Sequence, residues 1–341
     1  MRLFVTGGAG FIGSNFIRHI LSLGRNYQVV NFDKLTYAGN LMNLASVAKQ
    51  STYSFVRGDI CNHSVVAAAM NGCGAVVNFA AESHVDRSLL QPISPVQTNV
   101  LGTAVLLEVA RSLGVSRFVQ ISSDEVYGDI SPPAQALESS LLAPSSPYSA
   151  SKAAADLLVL SYVRSYGLPA LITRSSNNYG PLQFPEKFLP IVILNALDNC
   201  AIPLYGDGKQ QRDWLHVEDH CAAIVAVLER GRVGQIYNIG TGETLQNLRL
   251  AQRVLEILQK PQSLISHVKD RPGHDRRYAL ACSMIQDELG WNPRIPLDQG
   301  LRETIAWYQT NASWIASVRS KEYLAYYKEN YEARGLARAS E

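Results

Sequence analysis

The chain has 341 residues, 47% of them hydrophobic and 18% charged, with a formal net charge of +2. That length fits one large domain or two smaller ones sharing a core, and the composition is that of a soluble globular protein. A charge so near balance gives no global electrostatic case for nucleic acid or a membrane surface as partner, although a small anion needs only two or three local cations.

Residues 2–6 are apolar and β-prone and run directly into Gly7-Gly8-Ala9-Gly10-Phe11-Ile12-Gly13, followed by a helical pattern over 14–23. With a strand opening the chain, no signal peptide is expected. Strand, glycine loop and helix together let the backbone approach a pyrophosphate, and the helix N-terminus offers it free N–H groups. Gly7, Gly10, Phe11, Ile12 and Gly13 are therefore candidate cofactor residues. The Gly-x-x-Gly-x-x-Gly spacing differs from the usual dinucleotide fingerprint, and a glycine loop also occurs as a simple turn. A second strand over 28–32 ends at Asp33, about 20 residues past the loop, where a carboxylate takes the adenosine ribose hydroxyls. It would repel a 2′-phosphate, which favours NAD over NADP; a helix-capping aspartate is the competing reading. A third strand, 53–57, ends at Gly58-Asp59-Ile60, with the aspartate in reach of the adenine edge. A fourth, 75–79, ends at Ala80-Ala81, where small side chains let the backbone lie against a cofactor.

A helical pattern over 100–112 leads to a strand over 117–121 and then to Ser122-Ser123-Asp124-Glu125-Val126-Tyr127-Gly128. An acid pair just past a buried strand sits where α/β sheets bind ligands, although such a pair taken alone is more often a solvated turn. Adjacent strand residues point to opposite faces, so both acids reach one ligand only if the strand has ended at Ser122 or Ser123. Residues 129–147 read as a loop, and a helix over 149–166 follows. Tyr148 and Lys152 are four apart, so helical geometry puts them on one face. A strand over 170–173 leads to Asn177-Asn178-Tyr179-Gly180-Pro181. Alternating strands and helices predict an α/β fold with a doubly wound parallel sheet of Rossmann type.

After Pro181 the rhythm breaks. Residues 1–180 read as the dinucleotide-binding domain, with later strands returning from about 212–242, Ile236–Ile239 among them, and 181–341 as mainly a smaller substrate-binding region. The longest apolar run noted there, 188–197, holds Pro190 and Asn195 and is too short to span a bilayer. Arg212, Arg271 and the Arg276-Arg277 pair suit a diphosphate through the planar guanidinium fork, though surface arginines are commonly just solvated. The five cysteines are scattered without a Cys-x-x-Cys pair. No metal site or redox motif is suggested, and a reducing compartment, the cytoplasm, is expected.

Together these residues resemble the extended short-chain dehydrogenase/reductase superfamily and, within it, the dTDP-glucose 4,6-dehydratases. The resemblance is carried by Thr6-Gly-Gly-Ala-Gly-Phe-Ile-Gly13, Phe79-Ala-Ala-Glu-Ser-His-Val-Asp-Arg-Ser88, Ser123-Asp-Glu-Val-Tyr-Gly128, Tyr148-x-x-x-Lys152, Asn177-Asn-Tyr-Gly-Pro181, Phe184-Pro-Glu-Lys187, Gly206-Asp-Gly-Lys-Gln-x-Arg-Asp-Trp214 and Arg271-Pro-Gly-His-Asp-Arg-Arg-Tyr278. It covers almost the whole chain. The glycine motif identifies only the superfamily, whereas the acid pair and the Phe-Pro-Glu-Lys and Arg-Pro-Gly-His segments are far more specific. Two departures stand out: Ser123 replaces the family's threonine, keeping the hydroxyl but losing the methyl, and Gly240-Thr241-Gly242-Glu243 differs from the expected loop.

The resemblance implies an NAD-dependent dehydration of dTDP-glucose: oxidation at sugar C4, loss of water across C5 and C6, and return of hydride to C6. It implies Tyr148 as base on the 4-hydroxyl, its pKa lowered from about 10 by Lys152 and the positive nicotinamide ring. Glu125 would take the C5 proton. Asp124, kept neutral by burial and its neighbour's charge, would protonate the departing hydroxide. Ser123 would hydrogen-bond the sugar, and Asn177 would lie near it. Lys187, Arg212, Asn247 and Arg271 are implied around the diphosphate and Tyr331 near the base or diphosphate, with His84 and His274 also on the substrate side. A homodimer built on a four-helix bundle of 100–112 and 149–166 is implied as well. A dehydratase acting on a UDP-sugar remains an alternative, as does a sugar-nucleotide 4-epimerase, although an epimerase needs no acid pair here. A non-catalytic NAD-binding sensor would be free to lose Tyr148, Lys152 or the acids, and all four are present.

Overall fold

In a computed structural model, which describes residues 1–319 and 321–336, seven short runs of aliphatic and β-branched residues pair into one sheet. They are Arg2–Thr6 (β1), Gln28–Asp33 (β2), Tyr53–Arg57 (β3), Ala75–Asn78 (β4), Arg117–Ser123 (β5), Ala170–Ser175 (β6) and Ile236–Ile239. Across the sheet the order is Ile236–Ile239, β6, β5, β4, β1, β2, β3, and every pairing is parallel. The order reverses between β1 and β4, so a crevice forms beyond their carboxyl ends, where such sheets bind ligands.

Successive strand side chains face opposite ways, and β1 divides its residues between two cores accordingly. Leu3 and Val5 pack with Phe16, Ile17 and Ile20 of the helix Phe11–Ser22 and with Ile224 of Val217–Arg230. Phe4 packs on the other face with Met70 of His63–Met70, Leu106 of Gly102–Ser112 and Val159 of Pro147–Tyr166. Helices thus cover both faces, which is the doubly wound Rossmann architecture predicted from the alternation. A further core gathers Leu189, Val192, Leu250, Leu301 and Trp314 from the C-terminal half. Within 212–242, Ile236–Ile239 extends the sheet, whereas Trp214–His216 pairs with Asn177–Tyr179 outside it.

Three departures from the expected boundaries matter for the site. The first helix begins at Phe11 rather than 14. Gly13 therefore lies inside it, where an added Cβ would collide with the Gly7 carbonyl oxygen. Strand β5 continues past 121 to Ser123. The helix expected over 100–112 is the end of a longer helical run, in which a π-helical turn at Val96–Leu101 precedes Gly102–Ser112. That run, Ile93–Ser112, is long and apolar enough to cross a membrane by length and composition, unlike Phe188–Leu197, and much of its most apolar stretch is buried inside the protein.

Pro147–Tyr166 is entered through a reciprocal cap. Ser146 Oγ accepts from Ser149 N at 3.1 Å, and Ser149 Oγ accepts from Ser146 N at 3.0 Å. Pro147 occupies the first turn, where a missing N–H costs nothing. The cap fixes the position of Tyr148, the residue that follows.

Candidate active site

Beyond the carboxyl ends of the central strands lies a cavity of about 320 Å³. Its cofactor-side lining includes Gly7, Gly10, Phe11, Ile12, Gly13, Asp33, Asp59, Ile60, Ala80 and Ala81. Gly7 has φ +66°, and a Cβ there would lie 2.6 Å from Ala80 N, so the loop and the Ala80-Ala81 stretch approach closely only because neither carries bulk. Gly10 caps the helix Phe11–Ser22 without a side-chain hydrogen bond. The first-turn amides are therefore left for an anion, which is the chemistry a pyrophosphate needs. Asp33 accepts from Ala9 N at 2.9 Å and Leu35 N at 2.8 Å. Burial raises its pKa, with those two bonds working against the rise. Each carboxylate oxygen retains a lone pair for a ribose hydroxyl. Burial also pushes Asp59 up, but hydrogen bonds from Lys34 (2.7 Å) and Cys61 N (2.9 Å) outweigh it and leave the pKa lowered. This glycine-rich cradle with free first-turn amides, flanked by two carboxylates, fits a nicotinamide dinucleotide.

The same cavity is lined by Ser123, Asp124, Glu125, Tyr148, Lys152, Asn177 and Lys187. At Ser123 the strand stops and the chain turns into a 3-10 helix, Asp124–Tyr127. Ser123 Oγ accepts from Glu125 N and donates to Asp124 Oδ1, both at 3.2 Å. The turn breaks the alternation of the strand, so the two adjacent acids share one cavity. Asp124 is 3% exposed. Burial and then the Glu125 charge hold its carboxyl well above the usual range, with Arg212 opposing. Its Oδ2 has no hydrogen-bond partner among the described residues. Burial raises Glu125 too, but Arg271, Arg212 and Lys187 all pull it down. The surroundings thus favour a proton on Asp124 over one on Glu125.

Burial, then Glu125, holds the Tyr148 phenol far above its ordinary pKa, and a hydrogen bond with Ser123 works the other way. Lys152 Nζ donates to the Ile121 carbonyl at 2.5 Å. Burial lowers its pKa to about 8, with Asp156 opposing. Among the chain's own groups burial and Glu125 prevail and the phenol stays protonated, so the expected lowering depends on the positive nicotinamide ring named together with Lys152.

Asn99, which the sequence reading missed, buttresses this helix. Its side chain accepts from Glu82 N (2.9 Å) and donates to Glu82 O (3.0 Å) and to Ser151 Oγ (2.8 Å). Ser151 Oγ in turn donates to the Tyr148 carbonyl at 2.6 Å. Asn99 lies in the π-helical turn, a feature that hydrophobic periodicity does not encode.

The remaining predicted residues lie off the cavity lining. His84, expected on the substrate side, caps the helix Val85–Leu90 through Nδ1 and Arg87 N (3.4 Å), and its Nε2 meets the Glu186 carbonyl at 3.2 Å. Both ring nitrogens are thus engaged by the protein. Arg212 donates to the carbonyls of Gln211 and Asp275 (2.8 and 2.9 Å) and stacks 4.1 Å from the Tyr278 centroid. Arg271 Nη1 is 3.6 Å from Asp86 Oδ1, while its Nε has no partner among the described residues. Asn247 begins the helix Asn247–Leu258, with its Oδ1 buried and likewise unpartnered. His274 Nδ1 is 2.6 Å from Asp270 Oδ1, and burial, followed by Arg271, lowers its pKa to about 4. Tyr331 packs against Tyr327 and Tyr205 at centroid distances of 4.8 and 6.0 Å. Arg212 and Arg271 still act on Glu125 electrostatically, which ties this group to the cavity. Arg276 instead pairs with Asp207 on the surface (2.7 Å).

Comparison with known proteins agrees with this arrangement. The profile of the GDP-mannose 4,6 dehydratase family matches residues 4–304. A dTDP-glucose 4,6-dehydratase of Streptomyces niveus is 49% identical over 328 residues, 94% of this chain and 97% of that protein. One from Escherichia coli K12 is 45% identical over 361 residues, 98% of this chain and 100% of that protein. Among solved structures, the dTDP-glucose 4,6-dehydratase of Streptomyces venezuelae with NAD bound superposes with a TM-score of 0.90 at 47% identity, covering 92% of this chain and 98% of the other. The Thermus thermophilus UDP-glucose 4-epimerase complex with NAD superposes with a TM-score of 0.85 at 31% identity, covering 91% and 100%. By near-full-length identity and by fold, the chain belongs to the dTDP-glucose 4,6-dehydratase family.

Proposed function

We propose that the chain dehydrates dTDP-glucose to dTDP-4-keto-6-deoxyglucose, with NAD as a cofactor restored in each turnover. The observation that carries this reading is the end of the strand at Ser123, which brings two adjacent carboxyl groups in different electrostatic surroundings into the cavity that holds Tyr148. An epimerase has no use for that pair, and the greater identity to dehydratases than to the Thermus epimerase points the same way.

When bound, NAD+ would supply the acceptor for the hydride leaving C4 and the source of the hydride returned to C6. The first-turn amides and glycines of the loop would hold its pyrophosphate, Asp33 its ribose, and Asp59 with Ile60 its adenine, while Ala80 and Ala81 form the flat wall. Tyr148 takes the proton of the 4-hydroxyl. Even a phenol of ordinary pKa about 10 requires about 4 kcal/mol of differential stabilisation to ionise near pH 7, and burial beside Glu125 adds to that requirement. Lys152, largely cationic at neutral pH, the Ser123 hydroxyl and, when NAD+ is bound, the positive nicotinamide ring would contribute to it. Once C4 is a ketone, the C5 proton is acidified and Glu125 removes it. Asp124 delivers its proton to the hydroxide leaving C6. As hydride reaches C6, Glu125 returns its proton to C5, and the proton gained by Tyr148 and the one lost by Asp124 balance through solvent. Asn177 would contact the sugar, with Lys187, Arg212, Asn247, Arg271, His274 and Tyr331 serving the diphosphate and base. The unpartnered Arg271 Nε, a donor, supports that assignment.

A homodimer through a four-helix bundle is part of the proposal, supported by Leu101 and Leu157, which are 53% and 57% exposed beside and on the two helices concerned. The cytoplasm is the compartment that five free cysteines favour.

The test is to incubate the purified protein separately with dTDP-glucose and UDP-glucose and follow product mass. The proposal expects a product one water lighter, formed faster from dTDP-glucose. An isomer of unchanged mass would indicate epimerisation instead, and preferential turnover of UDP-glucose would contradict the nucleotide assignment.

A further inference from the structure

Four stretches of chain that are distant in sequence meet around Arg87, a residue given no role above. Its guanidinium carbon lies 3.9 Å from the ring centroid of Tyr37 and 4.0 Å from that of Tyr326. Tyr37 is in the loop after Asp33, and Tyr326 is on the helix Lys321–Glu332. Arg87 Nε donates to Glu186 Oε2 at 2.8 Å, and the Tyr37 hydroxyl donates to Glu186 Oε1 at 2.9 Å. Glu186 is 4% exposed, so both oxygens of a buried carboxylate are committed to this junction. A planar guanidinium stacks on rings with its faces while its in-plane N–H groups bind a carboxylate; a compact ammonium does not combine the two.

The joined stretches are walls of the cavity. Thr36 and Ala38, either side of Tyr37, line it, as do Ser83 on the Arg87 stretch and Glu186 with Lys187 on the third. Lys187 Nζ donates to the Ser83 carbonyl. The C-terminal helix adds a second tie, from the Tyr323 hydroxyl to the Pro185 carbonyl at 3.1 Å. Separation of the loop after Asp33 from the 184–187 stretch therefore requires Arg87 to leave at least one of its partners.

We propose that Arg87 is a latch that retains the cofactor: by joining Tyr37, Glu186 and Tyr326 it holds the cavity walls together, so that NAD stays bound from one turnover to the next. This rests on the reading of the cavity as an NAD site and extends it, because a reaction that restores its cofactor gains from never releasing it. Arg87 is a positioning residue and takes no part in the chemistry.

The test compares the wild type with Arg87→Met, which removes the charge and fork, and Arg87→Lys, which keeps a cation but removes the planar stack. Each protein is loaded with NAD and desalted, its NAD content is measured after denaturation, and exchange of bound NAD is timed with an isotopically labelled NAD chase. Loss of a charge-assisted hydrogen bond and two ring contacts should speed exchange roughly tenfold to a hundredfold in Arg87→Met. Arg87→Lys should move the same way, and excess NAD should restore turnover in both. If Arg87→Met does not fold, Arg87→Lys carries the comparison. Wild-type exchange rates in the folded variants would overturn the latch while leaving the NAD reading intact. A wild-type chain that takes up no NAD would overturn that reading and the latch with it.

Discussion

Asp124 and Glu125 are neighbours in the chain to which the proposal gives opposed tasks, on the ground of what surrounds each carboxyl group. Asp124 is buried beside a negative neighbour, whereas Glu125 faces Arg271, Arg212 and Lys187. Asp124→Asn and Glu125→Gln should both permit oxidation at C4 and stall loss of water. They should part at C5. In deuterated water Asp124→Asn still enolises the ketone through Glu125 and takes deuterium at C5, while Glu125→Gln shows little exchange. Equal exchange in the two variants would show that the roles are not divided in this way. The pH profile follows from the same environments. Burial lowers Lys152 to about 8, so its cation is present below that pH and lost as the pH rises through it. Burial raises Glu125 above 4.5, so its basic form is lost on acidification before an ordinary glutamate would lose it. The profile of kcat/KM should therefore fall on the alkaline side near pH 8 and on the acid side above the ordinary carboxylate range. An activity still rising well past pH 8 would remove the need for the Lys152 cation.

At the scale of elements, the helix Pro147–Tyr166 serves the site on one side and faces outward on the other. Tyr148 and Lys152 point into the cavity, and Asp156, one turn on, pairs with Arg174 of β6 at 2.9 Å. Leu157 is left 57% exposed, which suits a helix packed against a second copy. Leu157→Glu should shift the protein from dimer to monomer in sedimentation equilibrium with its helix content retained; a monomeric wild type would contradict the bundle. How far these elements were legible in the sequence depended on range. The glycine loop, the acid pair and Tyr148-x-x-x-Lys152 are local patterns, and each was readable because spacing alone sets which side chains share a face. The end of β5 was not, since Ser122-Ser123 reads equally as strand or turn, and the outcome turns on Ser123 capping the 3-10 helix that follows. Asn99 was hidden by its π-helical turn. The capping contact of His84 was hidden as well, since only the fold brings the Glu186 carbonyl to its ring beside Arg87 N. The contact of Arg271 with Asp86 joins residues remote in sequence, which no local pattern encodes.

Across the whole molecule, the doubly wound sheet supplies the cofactor half of the cavity, and the C-terminal core carries the segment that closes it. Phe184 and Leu189 belong to that core and also line the cavity. One cavity lined by a dinucleotide cradle, a phenol and two carboxyl groups suits a reaction whose oxidation and reduction both occur on one bound sugar. The central claim is that internal transfer, and isotope labelling tests it most directly. The protein is given dTDP-glucose carrying deuterium at C4, with no reductant added, and the product is examined by mass spectrometry and NMR. The account predicts a 4-keto-6-deoxy sugar nucleotide, one water lighter than the substrate, with the deuterium now at C6. Deuterium retained at C4 of a sugar of unchanged mass, or a dehydrated product formed only when an external reductant is consumed in equal amount, would contradict it.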